Sequence, residues 1–196
     1  SLRYRPDYVT VGEVRGEEAF VLFQAMATGH GGMCTLHAEN LDYAVKRLTS
    51  PPMNVAEAYI PLMNVVANIE RVQLPNAKRG PGFGRRLRTI LEVADYENYK
   101  PIASWDPLKD KFTVDLNASI LLDKIALRHG ISTQAIRDEI ERRALLLRRM
   151  KRAGIKKNES VAKAIAQYYL KPQIVENRLY ATVANGSGLP KEKPEG

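Results

Sequence analysis

The sequence predicts an α/β fold: a core with a mainly parallel sheet, a β-hairpin following it, and a helical appendage at the C-terminal end. Three patterns predict this. Two short apolar runs, Tyr8 to Val11 and Met33 to Leu36, flank an apolar segment of helical length at residues 17–28. A buried helix between two such strands is the mark of a right-handed crossover, and therefore of a parallel pair. Next, Val65 to Leu74 and Leu87 to Val93 alternate apolar and polar residues around the basic, glycine-rich stretch Asn76 to Gly84, as a long hairpin does. From about residue 117 the apolar spacing becomes helical and stays so to Pro172.

Each element has a local reason. Pro6-Asp7 and Gly12 bound the first strand. Glu17 and Glu18 open the first helix, where carboxylates meet the positive end of the helix dipole. That helix is apolar nearly all round and is expected inside the fold. The glycines of Gly29-His30-Gly31-Gly32 end it, and Pro51-Pro52 stops a second helix at residues 41–50. Ser104 to Asp110 reads as turn. Ile120, Leu121, Ile125 and Leu127 form a helix closed by Gly130; Ser132 or Thr133 caps a second, carrying Ile136, Ile140, Ala144 and Leu147 and ended by Gly154. Asn158 or Ser160 caps a third through Val161, Ile165 and Tyr169. The expected division is residues 1–116, 117–171 and a polar, mostly flexible tail at 172–196.

Composition narrows the setting. At 196 residues and 44% hydrophobic content, the chain can bury a core, so wholesale disorder is excluded. Thirty Lys and Arg against 22 Asp and Glu give a net charge of +8, which favours contact with an anion: nucleic acid, nucleotide or lipid surface. The single cysteine, Cys34, forms no intramolecular disulfide and no tetracysteine zinc module, so zinc is not expected and a reduced, cytoplasmic setting is. No window approaches the roughly 18 uncharged apolar residues of a membrane span, so any membrane contact is expected to be peripheral. The start at Ser1, straight into a strand pattern without an initiator Met, is expected of a piece of a longer chain.

Two motifs carry chemistry. The segment Arg5 to Gly16 runs from an apolar strand into Gly12 and Glu13, the arrangement by which phosphate-loop ATPases hold magnesium or polarise a water. Strand-then-acid is also what a simple helix-start carboxylate looks like. The second motif, Ala27 to Asn40, sets a glycine-rich turn and two histidines, His30 and His37, on either side of a strand, where backbone amides and imidazoles can meet phosphate. Each histidine also reads as a hydrogen-bonded residue fixing the turn; for His30 this reading stands level with direct phosphate contact, and His37, at the strand end, is the better candidate for that contact. As metal ligands the two are poorly spaced, seven residues apart with no placed Cys or carboxylate partner.

These two motifs, in this order, resemble the Walker B segment and histidine box of the secretion-ATPase superfamily, which comprises type II secretion, type IV pilus and archaellum assembly motors and conjugation ATPases. The hairpin, the Ser104-Trp105-Asp106-Pro107 turn and the helical tail are similar to archaeal members. The resemblance implies the downstream part of a RecA-like P-loop ATPase domain. In it, Glu13 is the acid that handles Mg2+ through water and the attacking water, and His37 senses the terminal phosphate. Gly12, Arg15, Thr28, Gly29, His30, Gly31 and Thr35 line the nucleotide. Arg3 and Arg5 either reach nucleotide across a subunit boundary or are ordinary surface arginines. The resemblance further implies ATP as substrate, a homo-hexamer and a membrane platform protein as partner, at the cytoplasmic face of the membrane. No Gly-x-x-x-x-Gly-Lys-Ser/Thr occurs in the chain, so the amides and lysine that cradle the phosphates are missing from it and ATP turnover by the chain alone is not expected.

The basic run Arg142, Arg143, Arg148, Arg149, Lys151, Arg152, Lys156 and Lys157 supports a rival reading as a nucleic-acid-binding helical module. A further rival is a noncatalytic assembly domain. Glu139 and Glu141 interleave with the run and base-stacking aromatics are sparse, so nucleic acid is not the expected partner.

Overall fold

The computed structural model describes residues 6–74 and 82–172. Arg3, Arg5, most of the hairpin tip and nearly all of the tail lie outside them. The chain divides into two compact units, one ending at Ile125 and the other beginning at Ala126.

In the first unit, strand β1 (Tyr8–Val11) is followed by helix α1 (Glu18–Ala27) and strand β2 (Gly31–Cys34), and the two strands pair in parallel with Val11 opposite Cys34. This is the crossover that the apolar pattern predicts. Glu18 fixes its entry, accepting from the amides of Arg15 (2.5 Å) and Gly16 (2.9 Å). Helix α2 (Leu41–Thr49) follows, with the Asn40 side chain accepting from the Tyr43 amide at 3.0 Å. Leu22 and Phe23 of α1, Val45 and Leu48 of α2, and Val14, Met53, Val55 and Ile60 form one buried cluster. Burying each large apolar side chain contributes on the order of 2 kcal/mol, so this cluster is what holds α1 and α2 to the strands. The expectation that α1 is wholly inside needs correction. Ala19, Leu22, Phe23 and Ala25 are buried, but Phe20 and Val21 are 37% and 51% exposed.

The sheet is also less parallel than expected. Parallel pairing among the described residues is confined to β1 and β2; strands β3 (Val65–Gln73), β4 (Phe83–Asp95), β5 (Asn98–Asp106) and β6 (Lys111–Val114) form a separate antiparallel sheet in chain order. The predicted hairpin is its first half. β5 escapes the alternation rule because Pro101 interrupts the pattern at a register shift against Ile90 and Leu91, the kind of place where a sheet tolerates proline, and β6 is only four residues long with all of them exposed. The turn expected at Ser104 to Asp110 begins within β5, whose last residue, Asp106, accepts from the amides of Leu108 (2.8 Å) and Lys109 (3.3 Å).

Asp110 staples the turn back to the sheet. Its carboxylate accepts from Arg86 Nε and Nη2, each at 2.7 Å, and from Trp105 Nε1 at 2.8 Å. The hydrogen bond from Arg86 and then that from Trp105 hold its pKa down at about 2, against an ordinary 3.8. Deeper in the unit, the Glu92 carboxylate is buried and receives the Ser119 hydroxyl and the amides of Ile120 (2.8 Å) and Leu121 (3.1 Å). An anion at the first turn of helix α3 (Ile120–His129) satisfies amides that have no partner within the helix. The first turn of α3 is thereby tied to β4.

The second unit is helical, with α4 (Thr133–Arg152) and α5 (Asn158–Leu170) meeting at Leu146, Met150 and Tyr168. Ser132 caps α4, accepting from the Ala135 amide at 3.1 Å. Gly154, at φ 71°, closes it: the Ile155 amide donates to Met150 O (3.0 Å) and the Gly154 amide to Lys151 O (3.2 Å). Only a residue free to take positive φ ends a helix this way without strain. Helix α5 departs from expectation, because Lys157 stands at its cap position and no side chain caps it. In the basic run, Arg142 and Arg143 both donate to Glu139, at 2.7 Å in their shortest contacts.

Two outcomes follow from these ties. Asp110's lowered pKa stabilises the fold fully above the ordinary value of 3.8, and that contribution disappears as pH falls toward about 2. Urea unfolding of Asp110→Asn should therefore differ from the unaltered chain at pH 6 and converge with it near pH 2. Glu92→Gln should lower the urea midpoint by the equivalent of about 1–3 kcal/mol at an unchanged m-value, the range for weakening a charged, buried acceptor.

Candidate functional site

Parallel pairing puts the chain's exits from β1 and β2 at the same edge, and the pairing is prolonged past both strands. The Val14 amide donates to Thr35 O at 2.9 Å, and Thr35 Oγ1 donates to Gly12 O at 2.5 Å. Val14 is also almost wholly buried in the core, so the segment leaving β1 is clamped on both sides of Glu13. Ligands in α/β sheets gather at this carboxyl edge, where backbone and side chains fan out from fixed strand ends.

Glu13 and His37 meet there. His37 Nε2 lies 3.5 Å from Glu13 Oε1, within ion-pair reach but longer than an ordinary hydrogen bond. Arg15 grips the same carboxylate with both arms of its guanidinium, Nε to Oε1 and Nη2 to Oε2, each at 2.7 Å. The hydrogen bond from Arg15 is the main cause that holds the Glu13 pKa below the usual carboxylate value, with the charges of Arg15, His37 and Arg47 acting in the same direction. His37 is open to solvent, its side chain 83% exposed, while that of Glu13 is 27% exposed. Arg47, from the last turn of α2, donates Nη1 to the His37 carbonyl at 2.8 Å. The sequence reading did not single out Arg47; the signal for it was a cation in the last turn of a helix that returns beside the His37 segment.

The remaining candidates fall elsewhere. Thr28, Gly29 and His30 precede β2 and Gly31 begins it, so all four stand at the opposite end of the strand from Glu13 and His37. Three residue steps of strand, about 10 Å, separate Gly31 from Cys34. There they finish α1. Gly29 takes φ 99°, Thr28 Oγ1 donates to Ala25 O (2.9 Å), and His30 Nδ1 lies 3.0 Å from Ala25 O and 3.2 Å from Thr28 Oγ1. Gly31 lies beneath the Tyr8 ring, where a Cβ would come 2.5 Å from a ring carbon. The described contacts join Gly12 and Thr35 to the Glu13 corner; they do not join the glycine bend to it. Arg3 and Arg5 lie outside the described residues.

Chemically, the corner offers one carboxylate and three basic side chains. No group of three or more His, Cys, Asp or Glu able to hold a metal occurs among the described residues. A lone carboxylate suits magnesium that is carried in on phosphate oxygens, since that ion keeps much of its water and needs only one or two protein carboxylates.

This geometry belongs to a chain whose residues 1–97 match the family described as type II/IV secretion system protein. An uncharacterized protein of Methanocaldococcus jannaschii is 36% identical over 175 residues, covering 86% of this chain and 62% of that protein. The conjugal transfer protein TrbB of Rhizobium radiobacter is 38% identical over 99 residues, 50% of this chain and 29% of TrbB. The type IV secretion system protein PtlH of Bordetella pertussis is 48% identical over 94 residues, 46% of this chain and 28% of PtlH. The family match covers just under half of the 196-residue chain. The chain spans less than two thirds of the length of each of these relatives. No helix among the described residues is long and apolar enough to cross a membrane.

Removing Arg15 should free Glu13. In Arg15→Ala, the carboxyl carbon of Glu13, followed by NMR during acid titration, should report a pKa raised toward 4.5, the ordinary value for glutamate. An unchanged titration would mean that the pair does not form in solution.

Proposed function

We propose that the chain is part of an ATP-hydrolysing motor, a homo-hexamer in the intact protein, that powers protein secretion or the assembly of a type IV pilus or archaellum at the cytoplasmic membrane. The observation that carries this reading is the approach of Glu13 and His37 to 3.5 Å from two different strand ends. A carboxylate beside an imidazole at the carboxyl edge of a parallel pair is suited to handling a polyphosphate and a water together. In this reading Glu13 orients the attacking water and the water shell of Mg2+. His37 donates to the terminal phosphate, and Arg15 exchanges its hold on Glu13 for phosphate oxygens. The family match over residues 1–97 and the names of the bacterial relatives support the same assignment.

Docking to a membrane platform protein belongs to the same proposal. The rival reading of the helical unit as a nucleic-acid module has less behind it, because Glu139 already engages Arg142 and Arg143 and Arg143 stacks on the Tyr169 ring at 5.2 Å.

Phosphoryl transfer depends on positioning the γ-phosphate, and the chain contains no Gly-x-x-x-x-Gly-Lys-Ser/Thr to do so. The purified chain should bind Mg·ATP weakly by calorimetry and release phosphate at the background rate. Turnover at the pace of an intact motor, roughly 1 s⁻¹ or faster, would require a second nucleotide site and overturn the reading. In the complete motor polypeptide, Glu13→Gln should lower kcat by on the order of 100-fold or more with little change in KM, the pattern of a group acting in the transition state.

A further inference from the structure

Arg47 is placed by more than its own side chain. Helix α2 is anchored in the core through Leu41, Val45 and Leu48 and capped by Asn40, so its last turn is a fixed base. From that base the guanidinium reaches back ten residues to the His37 carbonyl at 2.8 Å. Among the described residues no carboxylate forms a salt bridge with Arg47, and the His37 carbonyl is its one hydrogen-bond acceptor. A guanidinium carries five donors, so most of its capacity is unspent.

The surroundings give that capacity a direction. Arg47 contributes, with Arg15 and His37, to the positive field felt by Glu13. Two guanidiniums, Arg15 and Arg47, and the His37 imidazole stand around Glu13, and the Glu18 carboxylate also acts on Arg15. Basic donors gathered at the open edge of a sheet, beside an imidazole that is mostly exposed, match a polyanion that offers several oxygens at once. A simple loop anchor would need the hydrogen bond but not the charge.

We propose that Arg47 is a positioning residue of this corner: it holds the His37 segment against Glu13 and supplies part of the positive field that receives a polyphosphate. The proposal rests on reading the corner as a phosphate site, and it adds a residue, an element and a role to that reading. Because the guanidinium both donates to a carbonyl and carries fixed charge, lysine should replace it in part and glutamine less well.

The test uses the 196-residue chain with inorganic tripolyphosphate as the probe, followed by 15N-resolved NMR. In the unaltered chain the amides of Gly12, Glu13 and His37 should shift and saturate. In Arg47→Ala the His37 and Ala38 amides should move already in the free protein, and the probe should bind about tenfold more weakly, as expected for losing one charge-assisted donor. Arg47→Lys should recover most of that loss. Arg152→Ala, which removes an exposed cation from the other unit, should bind as the unaltered chain does. Melting temperatures verify folding; if Arg47→Ala does not fold, the Lys and Gln variants give the same comparison, with Gln binding the weaker. Equal probe affinity in Arg47→Ala and the unaltered chain, while Glu13→Gln or His37→Ala changes it, would overturn the role of Arg47 and leave the phosphate site standing. Absence of saturable shifts at Gly12, Glu13 and His37 in the unaltered chain would overturn both.

Discussion

The tie between the segments leaving β1 and β2 is the constraint on which the candidate site depends. Two hydrogen bonds, Val14 amide to Thr35 carbonyl and Thr35 hydroxyl to Gly12 carbonyl, carry the association of the two segments past the ends of the strands at Val11 and Cys34. Without them, Glu13 and His37 would be residues on two loops with independent paths. With them, the loops leave the sheet side by side, and burial of Val14 prevents the first from turning away. The approach of carboxylate and imidazole is thus a property of backbone pairing, and the side chains only complete it.

Electrostatics then sets the resting state. Both oxygens of Glu13 are engaged by Arg15, so the carboxylate is charged, oriented and occupied. An arginine in that position keeps a partly exposed anion in one orientation through a two-pronged, charge-assisted contact. The corner's other basic side chains, His37 and Arg47, come from the segment after β2 and from α2, tied together by the Arg47 hydrogen bond to the His37 carbonyl.

Away from the corner, carboxylates serve the architecture. Glu92 caps α3 from β4, Asp110 joins the β5–β6 turn to Arg86 and Trp105, and Glu139 gathers Arg142, Arg143 and the Tyr168 hydroxyl between α4 and α5. Each places an anion where amides or guanidinium groups would otherwise lack an acceptor. The net charge of +8 therefore overstates how much of the basic surface is uncommitted.

The sequence by itself determined the local elements. Apolar period and breakers placed β1, α1 and α2, the first hairpin, and the three C-terminal helices with the glycines that close two of them, because these depend on neighbours within a few residues; they put the second strand at Met33 to Leu36, two residues late, because Gly31 and Gly32 read as turn while they in fact pair with Tyr8 and Val9. It did not determine the cap of α5, the open face of α1, β5, where a proline at a register shift hides the alternation, or β6, whose four residues are all exposed. The site divided in the same way. Glu13 and His37 were legible as strand-end residues, whereas the separation of Thr28, Gly29, His30 and Gly31 from them, and the arrival of Arg47, were decided by tertiary structure alone. A strand of four residues carries its two ends to opposite edges of a sheet, and a helix returns a side chain ten residues distant to the place it left. Neither effect is visible in residue spacing until the direction of each element in space is known.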